Sequence, residues 1–387
     1  MQRNTYIKID LDRLRNNIKE IVKNYKYKYY IGVVKNNCYH HGLKSIKGME
    51  EAGINYFAVS SLEEAIRLRT YTNKSILCLE PISLDNILDI ENQDITITID
   101  NVNYLKKLQE LDLFTDIKIH LALDTGMQRL GLTSNKDVLK CIDIINNNKH
   151  LVLEGIYTHF ASSGVLNTSY DDAIKRFKEL TLNVNLDEIK MIHMDRSLTM
   201  VQHEKIPFTN SVRLGIIMYG FNGSIKEDKS LKGIIRRIKR NYIQKKLNIS
   251  KTILENNLNL NTCMSFYTEV MSVRKVLKNS YVGYNRFKIK EDGYILTLPV
   301  GYGDGVNKNY KYVSINNKLY EIVSDSMDMI MVYSDQLFDI GTKVEIFGDN
   351  ISIRSVCNRL NTNSYHLFNM ISDRVNIEYS GEEYGEI

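Results

Sequence analysis

Lys35 closes the apolar run Tyr30-Ile31-Gly32-Val33-Val34. A lysine at the end of a buried strand loses hydration, which disfavours its charged form and makes it a better amine nucleophile or Schiff-base former. Alone it carries little weight, because a strand-end lysine is more often simply solvated. Other polar residues stand in the same relation to apolar runs. Asp124 and Arg129 follow IKIHLAL, His159 follows LVLEGIYT, Arg196 and Ser197 follow IKMIHM, and Arg213 lies inside SVRLGIIMYG just before Gly215 and Ile216. Ser197, Tyr39 and the backbone around Gly215 offer neutral hydrogen-bond donors of the kind that cradle a phosphate after the last strands of a barrel. A lysine together with a phosphate cradle is what pyridoxal 5′-phosphate requires, since its aldehyde needs an amine and its tail an anchor.

The elements that would position these groups alternate. After the strand-like YIKID, the residues Leu11, Leu14, Ile18, Ile21 and Val22 recur at helical spacing behind Asp10 as N-cap. Short apolar runs follow around Tyr30, Tyr56, ILCL (76–79), ITITI (95–99), IKIHLAL (117–123), LVLEGIY (151–157), IKMIHM (189–194) and SVRLGIIMYG (211–220). Most are separated by amphipathic stretches of helical length, and Ser61-Leu62-Glu63-Glu64 has the form of a capping box. Eight β/α units of this length predict a closed (β/α)8 TIM-type barrel in preference to an open doubly wound sheet. Residues 263–387 read instead as short strands between turns, an all-β domain. The expected division is a barrel over 1–221, a basic inter-domain insertion over 222–262 and a β domain over 263–387, with the first strand, 5–10, open to joining the β domain.

With 387 residues, 43% hydrophobic and 25% charged, the chain suits two globular units and excludes wholesale disorder. No run is apolar enough to span a bilayer, and the opening MQRNTYIKIDLDRLR lacks the core of a secretion signal, so a cytoplasmic protein without membrane partners is expected. Cys38, Cys78, Cys141, Cys263 and Cys357 form no CxxC pair, and neither a disulfide framework nor a metal site is indicated. The net charge of +5 is unevenly placed. Asn222 to Asn261 holds ten Lys and Arg against Glu227, Asp228 and Glu255, a local +7 that leaves −2 elsewhere. Positive charge gathered in one segment, not spread over a folded face, argues against a nucleic-acid partner. Within it Ile234, Ile235, Ile238 and Tyr242 fall on one helical face, with Arg236, Arg237, Lys239 and Arg240 on the other. A membrane-surface helix and a solvated surface helix or mobile insertion are the two readings, the second being the usual fate of charged runs.

VVKNNCYHHG (33–42), HLALDTGMQRLGL (120–132), EGIYTHFASS (154–163), SVRLGIIMYG (211–220), the tract around Gly283-Tyr284 followed by LPVGYGDGV (298–306), SMDMIMV (326–332) and SYHLFNMISDRV (364–375) resemble, in order, the alanine racemase family. The resemblance covers nearly the whole chain except the basic insertion. It implies a barrel that binds pyridoxal 5′-phosphate, a following β domain, a head-to-tail homodimer with shared active sites, and racemisation of a small amino acid, L- and D-alanine, in the supply of D-alanine for peptidoglycan.

It further implies roles. Lys35 would bind the cofactor's aldehyde and serve as one proton-transfer base, and Tyr284 of the partner subunit would be the other. Two bases are needed because a proton leaves one face of a planar carbanion and returns to the opposite face. Both groups have reference values of about 10 or slightly above, so their surroundings must tune them. Tyr39, Ser197, the backbone of Gly215 and Ile216, and Tyr365 would hold the phosphate. Arg213 would face the pyridine nitrogen, where a guanidinium can only donate, with His193 supporting it. His159 would orient Tyr284. Arg129 and the backbone of Met327, with Asp328 nearby, would hold the substrate carboxylate, and Tyr302 and Tyr365 would form the entry and inner gate.

The pattern also departs from the family. Ala122 stands where many members have a lysine, often carbamylated, so Arg129 loses its anionic neighbour, and a chloride, another carboxylate or a freer arginine must replace it, since a partly buried cation needs a partner. Asn36 and His40 replace small residues, Arg196 stands where asparagine is common, and Tyr284-Asn285-Arg286-Phe287 lacks the customary small residues. A serine or broad-specificity racemase of the same family is the near alternative; the vancomycin-resistance racemases share these motifs but carry a membrane domain that this sequence does not show. A non-catalytic protein that binds the cofactor on a similar barrel is the alternative of another class.

Overall fold

Near-continuous apolar runs are the mark of parallel strands covered on both faces, and in the computed structural model, which describes residues 3–164, 166–223 and 230–381, they close a barrel. After β1 (Tyr6–Asp10), the barrel strands are β2 (Tyr29–Val33), β3 (Tyr56–Val59), β4 (Ile76–Cys78), β5 (Ile95–Ile99), β6 (Ile117–Leu123), β7 (Leu151–Thr158), β8 (Met191–Arg196) and β9 (Ser211–Leu214). Each pairs in parallel with the next, and β2 pairs with β9, Ile31 opposite Arg213. The last run ends earlier than its apolar character suggests. Ile216–Tyr219 turns into a 3-10 segment closed by Gly220 at φ +101°, a conformation that glycine adopts without steric cost.

Two compact units result, one of Leu14–Cys38 with Leu43–Asn261, the other of Met1–Arg13, Tyr39–Gly42 and Thr262–Ile387. The expected domain ends at 1 and 387, and residues 224–229 of the expected insertion, Glu227 and Asp228 among them, lie outside the described residues. Among the described residues no helix is long and apolar enough to cross a membrane.

Helices are delimited as their caps dictate. Asp10 accepts the Arg13 N–H at 2.9 Å before helix Leu11–Asn24, and Ser61 accepts the Glu64 N–H at 3.3 Å before Leu62–Arg69. The Glu64 carboxylate reaches back to Ser60 N at 2.9 Å, one residue before the position a capping box implies, and also accepts the N–H of Asn36. That second bond braces an unusual segment. Lys35–His40 is a short left-handed helical turn in which Asn36, Asn37, Cys38, Tyr39 and His40 have φ between 52° and 64°. Such a turn costs roughly 1–2 kcal/mol per ordinary residue and least for Asn. This accounts for the two asparagines directly after Lys35.

In the other unit, β1 joins β10 (Met264–Glu269), β11 (Ser272–Val276), β14 (Gly293–Leu298), β15 (Tyr312–Ile315), β16 (Lys318–Asp325), β17 (Ile330–Ser334), β18 (Lys343–Phe347) and β19 (Asn376–Ser380) in one nine-stranded sheet, with β12 (Tyr281–Val282) and β13 (Phe287–Lys288) as a separate hairpin. β1 lies between β10, antiparallel, and β19, parallel. Two short helices, Ile353–Arg359 and Ser364–Met370, also belong to this strand-rich unit, started by Ser352 and Asn363 as N-caps. Side-chain capping of this kind, not strand alternation, decides those two segments.

Candidate active site

In the barrel unit the strand ends bring the expected groups together. Lys35 follows β2, His159 follows β7, Ser197 follows β8 and Arg213 is a β9 residue. Burial, with Arg213, Arg196, Arg129 and Lys35 all close enough to repel a proton, pushes the His159 imidazole down to about 3. It is therefore a neutral hydrogen-bonding group at physiological pH. The Ser197 hydroxyl accepts the Gly215 N–H at 3.0 Å, which leaves its own O–H to donate, and the N–H of Ile216, first in its turn, has no intrahelical partner. The Ser197 O–H and the Ile216 N–H are thus donors fit for a phosphate, while the Gly215 N–H holds the Ser197 oxygen in place.

Arg213 is buried and tightly held. Its Nη1 donates to His193 Nδ1 at 2.6 Å and His193 O at 2.8 Å, and its Nη2 to Thr158 O at 2.7 Å and Met194 O at 3.1 Å. Among the described residues Nε–H has no protein acceptor, so one donor of a fixed guanidinium is left for a ligand. Burial brings the guanidinium down to about 10, still protonated at neutral pH.

Behind His193, the residue expected to support Arg213, lie others not anticipated from sequence. His193 Nε2 is 2.8 Å from His120 Nδ1, and His120 Nε2 is 3.2 Å from Glu154 Oε2. Glu154 also accepts from Tyr56 OH at 2.6 Å and Lys190 Nζ at 2.6 Å. Because Arg213 can only donate, His193 Nδ1 must accept, so His193 Nε2 carries the proton and donates to His120, which in turn donates to Glu154. Burial, reinforced by Arg213, holds His193 well below the usual imidazole range, and burial lowers His120. Burial alone would raise the Glu154 carboxyl, but the hydrogen bonds from His120, Lys190 and Tyr56 outweigh it and hold it below the carboxylate range. The result is one buried cation and one buried anion joined by two neutral imidazoles of fixed tautomer. Tyr157 stacks on His193 at 4.8 Å and bonds Thr98 at 3.1 Å. The His193–His120, Tyr56–Glu154 and Tyr157–Thr98 contacts link strands that are not sheet neighbours, which is possible only across the barrel interior. Only the placement of His120 and Glu154 within otherwise apolar runs hinted at this.

The chain of imidazoles is closely packed. A Cβ at Gly155, opposite His120 in register, would lie 2.6 Å from its Nδ1 and Cε1. Gly155→Ala is expected to cost about 1–3 kcal/mol by overpacking; unchanged denaturant stability would mean that the ring has room to yield. The buried His120 and His193 and the half-buried His159, all neutral, also set a pH dependence. The unfolded chain takes up protons below about 6.5 that the folded chain refuses, so stability falls as pH drops from there, about 1.4 kcal/mol per pH unit for each such group. Glu154 adds to the loss below its unfolded value of 4.5. The melting temperature of cofactor-free protein should decline from pH 7.5 to 5.5, less steeply in His193→Gln; a flat profile would contradict the neutral relay.

Arg129, in the loop after β6, is exposed and makes no hydrogen bond or ion pair among the described residues. The guanidinium is thus not partly buried within its own unit, whereas Ala122 is buried.

The sheet unit presents the remaining candidates. Tyr284 is 88% exposed at the tip of the β12–β13 hairpin. Gly283 at φ +67° turns the chain there, and its missing Cβ leaves room for Ser324. Asn285 Nδ2 donates to Val323 O at 3.1 Å and the Arg286 guanidinium lies 4.8 Å over the Tyr281 ring, so the larger residues of this tract brace the turn. Tyr365, on helix Ser364–Met370, meets Tyr39 edge to face at 5.8 Å. Tyr302 and Met327 are exposed. Gly303 N donates to Met327 O at 2.8 Å, and among the described residues the Met327 N–H is not engaged. Asp328 is paired with Arg374 at 2.6 Å, and Arg374 and Arg3 also clamp the buried Asp304 of GYGDG, so that aspartate is a structural anchor of the loop bearing Tyr302.

Comparison with known proteins agrees with this arrangement. Residues 9–223 match the alanine racemase N-terminal domain and 263–379 the alanine racemase C-terminal domain. The alanine racemase of Streptococcus agalactiae is 30% identical over 381 residues, 95% of this chain and 96% of that protein. The crystal structure of alanine racemase from E. faecalis superposes with a TM-score of 0.84 at 25% identity, covering 98% of both chains. A histidine racemase from Leuconostoc mesenteroides shares the fold, with a TM-score of 0.82 at 23% identity, over 98% of this chain and 99% of that one. With both domain matches in order and relatives aligned over almost its full length, the chain belongs to the alanine racemase family of enzymes.

Proposed function

We propose that this enzyme interconverts L- and D-alanine with pyridoxal 5′-phosphate, by a two-base mechanism in a head-to-tail homodimer, and supplies D-alanine for peptidoglycan from the cytoplasm. The observation that carries the reading is Arg213: a buried guanidinium with both Nη groups engaged by protein acceptors and Nε–H left over. When bound, the cofactor supplies the electron sink that makes the α-proton of an amino acid acidic enough to move.

The protein's own residues do the rest. The Lys35 amine takes the aldehyde and exchanges the proton on one face. The Ser197 O–H, the Ile216 N–H, Tyr39 and Tyr365 would hold the phosphate, with the Gly215 backbone fixing Ser197. Arg213 would offer its Nε–H to the pyridine nitrogen and, able only to donate, would keep that nitrogen unprotonated, which would restrain the ring as a sink and favour simple proton return over transamination. His193, His120 and Glu154 fix that guanidinium from behind. Arg129 and the Met327 N–H hold the substrate carboxylate, beside a gate of Tyr302 and Tyr365; Asp328 acts on this loop through Arg374. Tyr284 of the partner subunit exchanges the proton on the other face, oriented by the neutral His159. The homodimer is supported by the exposure of Tyr284, which its own unit leaves uncovered.

The test is turnover of L-alanine and L-serine by purified protein loaded with the cofactor, followed by chiral separation. D-alanine should form at least about tenfold faster, in kcat/KM, than D-serine, the discrimination a single added group in a small site confers. A clear preference for serine would overturn the substrate assignment. Cofactor binding without racemisation of any amino acid would overturn the enzymatic one.

A further inference from the structure

Residues 224–262 lie between the two stretches that match the family domains, and they contain a helix, Leu231–Lys246, that is held by the wrong side for an ordinary surface helix. Its N-terminus is capped by Ser230, which accepts the Gly233 N–H at 3.2 Å. Its inward side is Gly233, Arg240, Ile243 and Gln244: Gly233 and Gln244 are buried, Arg240 and Ile243 half-buried, and Gln244 Nε2 donates to Thr252 Oγ1 at 3.2 Å. The chain beyond is fastened to the barrel unit by Ser250 N to Asp171 Oδ2 at 3.0 Å and Ile253 N to Gln202 O at 2.8 Å.

The apolar side faces solvent. Leu231, Ile235, Ile238 and Tyr242, spaced i, i+4, i+7 and i+11, are 80%, 64%, 62% and 66% exposed, with Ile234 beside them. A helix normally turns such a stripe to the core, and a contiguous exposed stripe, unlike scattered single residues, marks a binding surface. Lys232, Arg236, Lys239, Lys245 and Lys246 are all exposed around it, and the helix has no acidic residue.

The charge decides among occupants. A second copy seated about a two-fold axis on this stripe would set one basic helix against another, and like charges across an interface are costly. A nucleic acid would engage the basic rim through its phosphates and leave the isoleucines in water. The interface of an anionic bilayer takes both features: lysine and arginine stems reach the headgroups while the stripe enters the upper acyl region. We propose that helix Leu231–Lys246 docks this enzyme on an anionic membrane surface. The solvated-helix reading of the basic segment accounts for the charges but not for the outward stripe.

The test is flotation of the cofactor-loaded full-length enzyme with vesicles of phosphatidylcholine alone or with about 30% phosphatidylglycerol. Recovery with the anionic vesicles should exceed that with the neutral ones at least about tenfold at about 0.05 M salt and collapse at about 0.5 M. Both I235E/I238E and K232E/K239E/K246E should reduce it to the neutral-vesicle level, while racemisation in solution, which uses none of these residues, stays as in the parent and certifies folding. The chain has no tryptophan, so Tyr242→Trp provides a single indole reporter whose emission should shift to the blue on anionic vesicles only. Equal recovery with both vesicle types, recovery insensitive to I235E/I238E, or an indole emission in Tyr242→Trp that anionic vesicles leave unshifted would overturn the proposal. So would stripe-dependent self-association in sedimentation, or stripe-dependent capture by polyglutamate without any by vesicles.

Discussion

Lys35→Ala is expected to lose both the covalent hold on the cofactor and racemisation, on the order of 10⁴-fold or more in kcat, because one amine serves as anchor and as base. The placement of that amine is specified on both sides. Val34 N donates to Ala58 O at 2.9 Å, and the Asn36 N–H is held by Glu64, so the side chain leaves the strand end just before the left-handed turn. Lys35→Arg should fare little better, since a guanidinium stays protonated and cannot serve as the nucleophile. Folding should be nearly untouched in either variant, as Lys35 is only half-buried. Borohydride reduction should fix the cofactor to the parent and not to Lys35→Ala. Retention of more than about a hundredth of parent activity would exclude Lys35 as the essential amine.

Tyr284→Phe is expected to keep the cofactor and slow turnover by about 10²–10⁴-fold, the usual contribution of one positioned acid–base group. The two enantiomers have equal free energy in water, so the ratio of kcat/KM in the two directions is pinned at one and both must fall equally. Asymmetry has to be sought elsewhere. The Lys35 face can still remove and return its own proton, so solvent deuterium should enter the α-position of one enantiomer without inversion and be nearly excluded from the other. Exchange persisting on both enantiomers, or lost from both, would contradict one base per face. Stability should hold, because the phenol is 88% exposed in its unit.

The barrel was legible because parallel strands covered on both faces leave continuous apolar runs, and IKIHLAL and ITITI coincide with strand bounds. Strand-end polar residues then follow from the rule that barrel chemistry gathers at the C-terminal ends. The neighbours of those residues were less legible. Nothing in the spacing of Arg213, His193, His120 and Glu154 shows that four strands deliver them to one line, since the closure of the barrel sets which side chains meet across it. Asn36 was similarly opaque: its identity answers to a positive φ that no periodicity reveals.

By itself, the order of residues determined the eight-strand repeat, the caps at Asp10 and Ser61, and the two faces of the basic helix, because these depend on neighbours within a few positions of one another. Only the tertiary structure decided that β1 pairs with β10 and β19, that Tyr39–Gly42 sides with the sheet unit, and that Glu154 answers Arg213 through two imidazoles. It also decided which face of helix Leu231–Lys246 turns inward. Each of these depends on contacts between segments far apart along the chain, whose partners are fixed only when the backbone closes on itself.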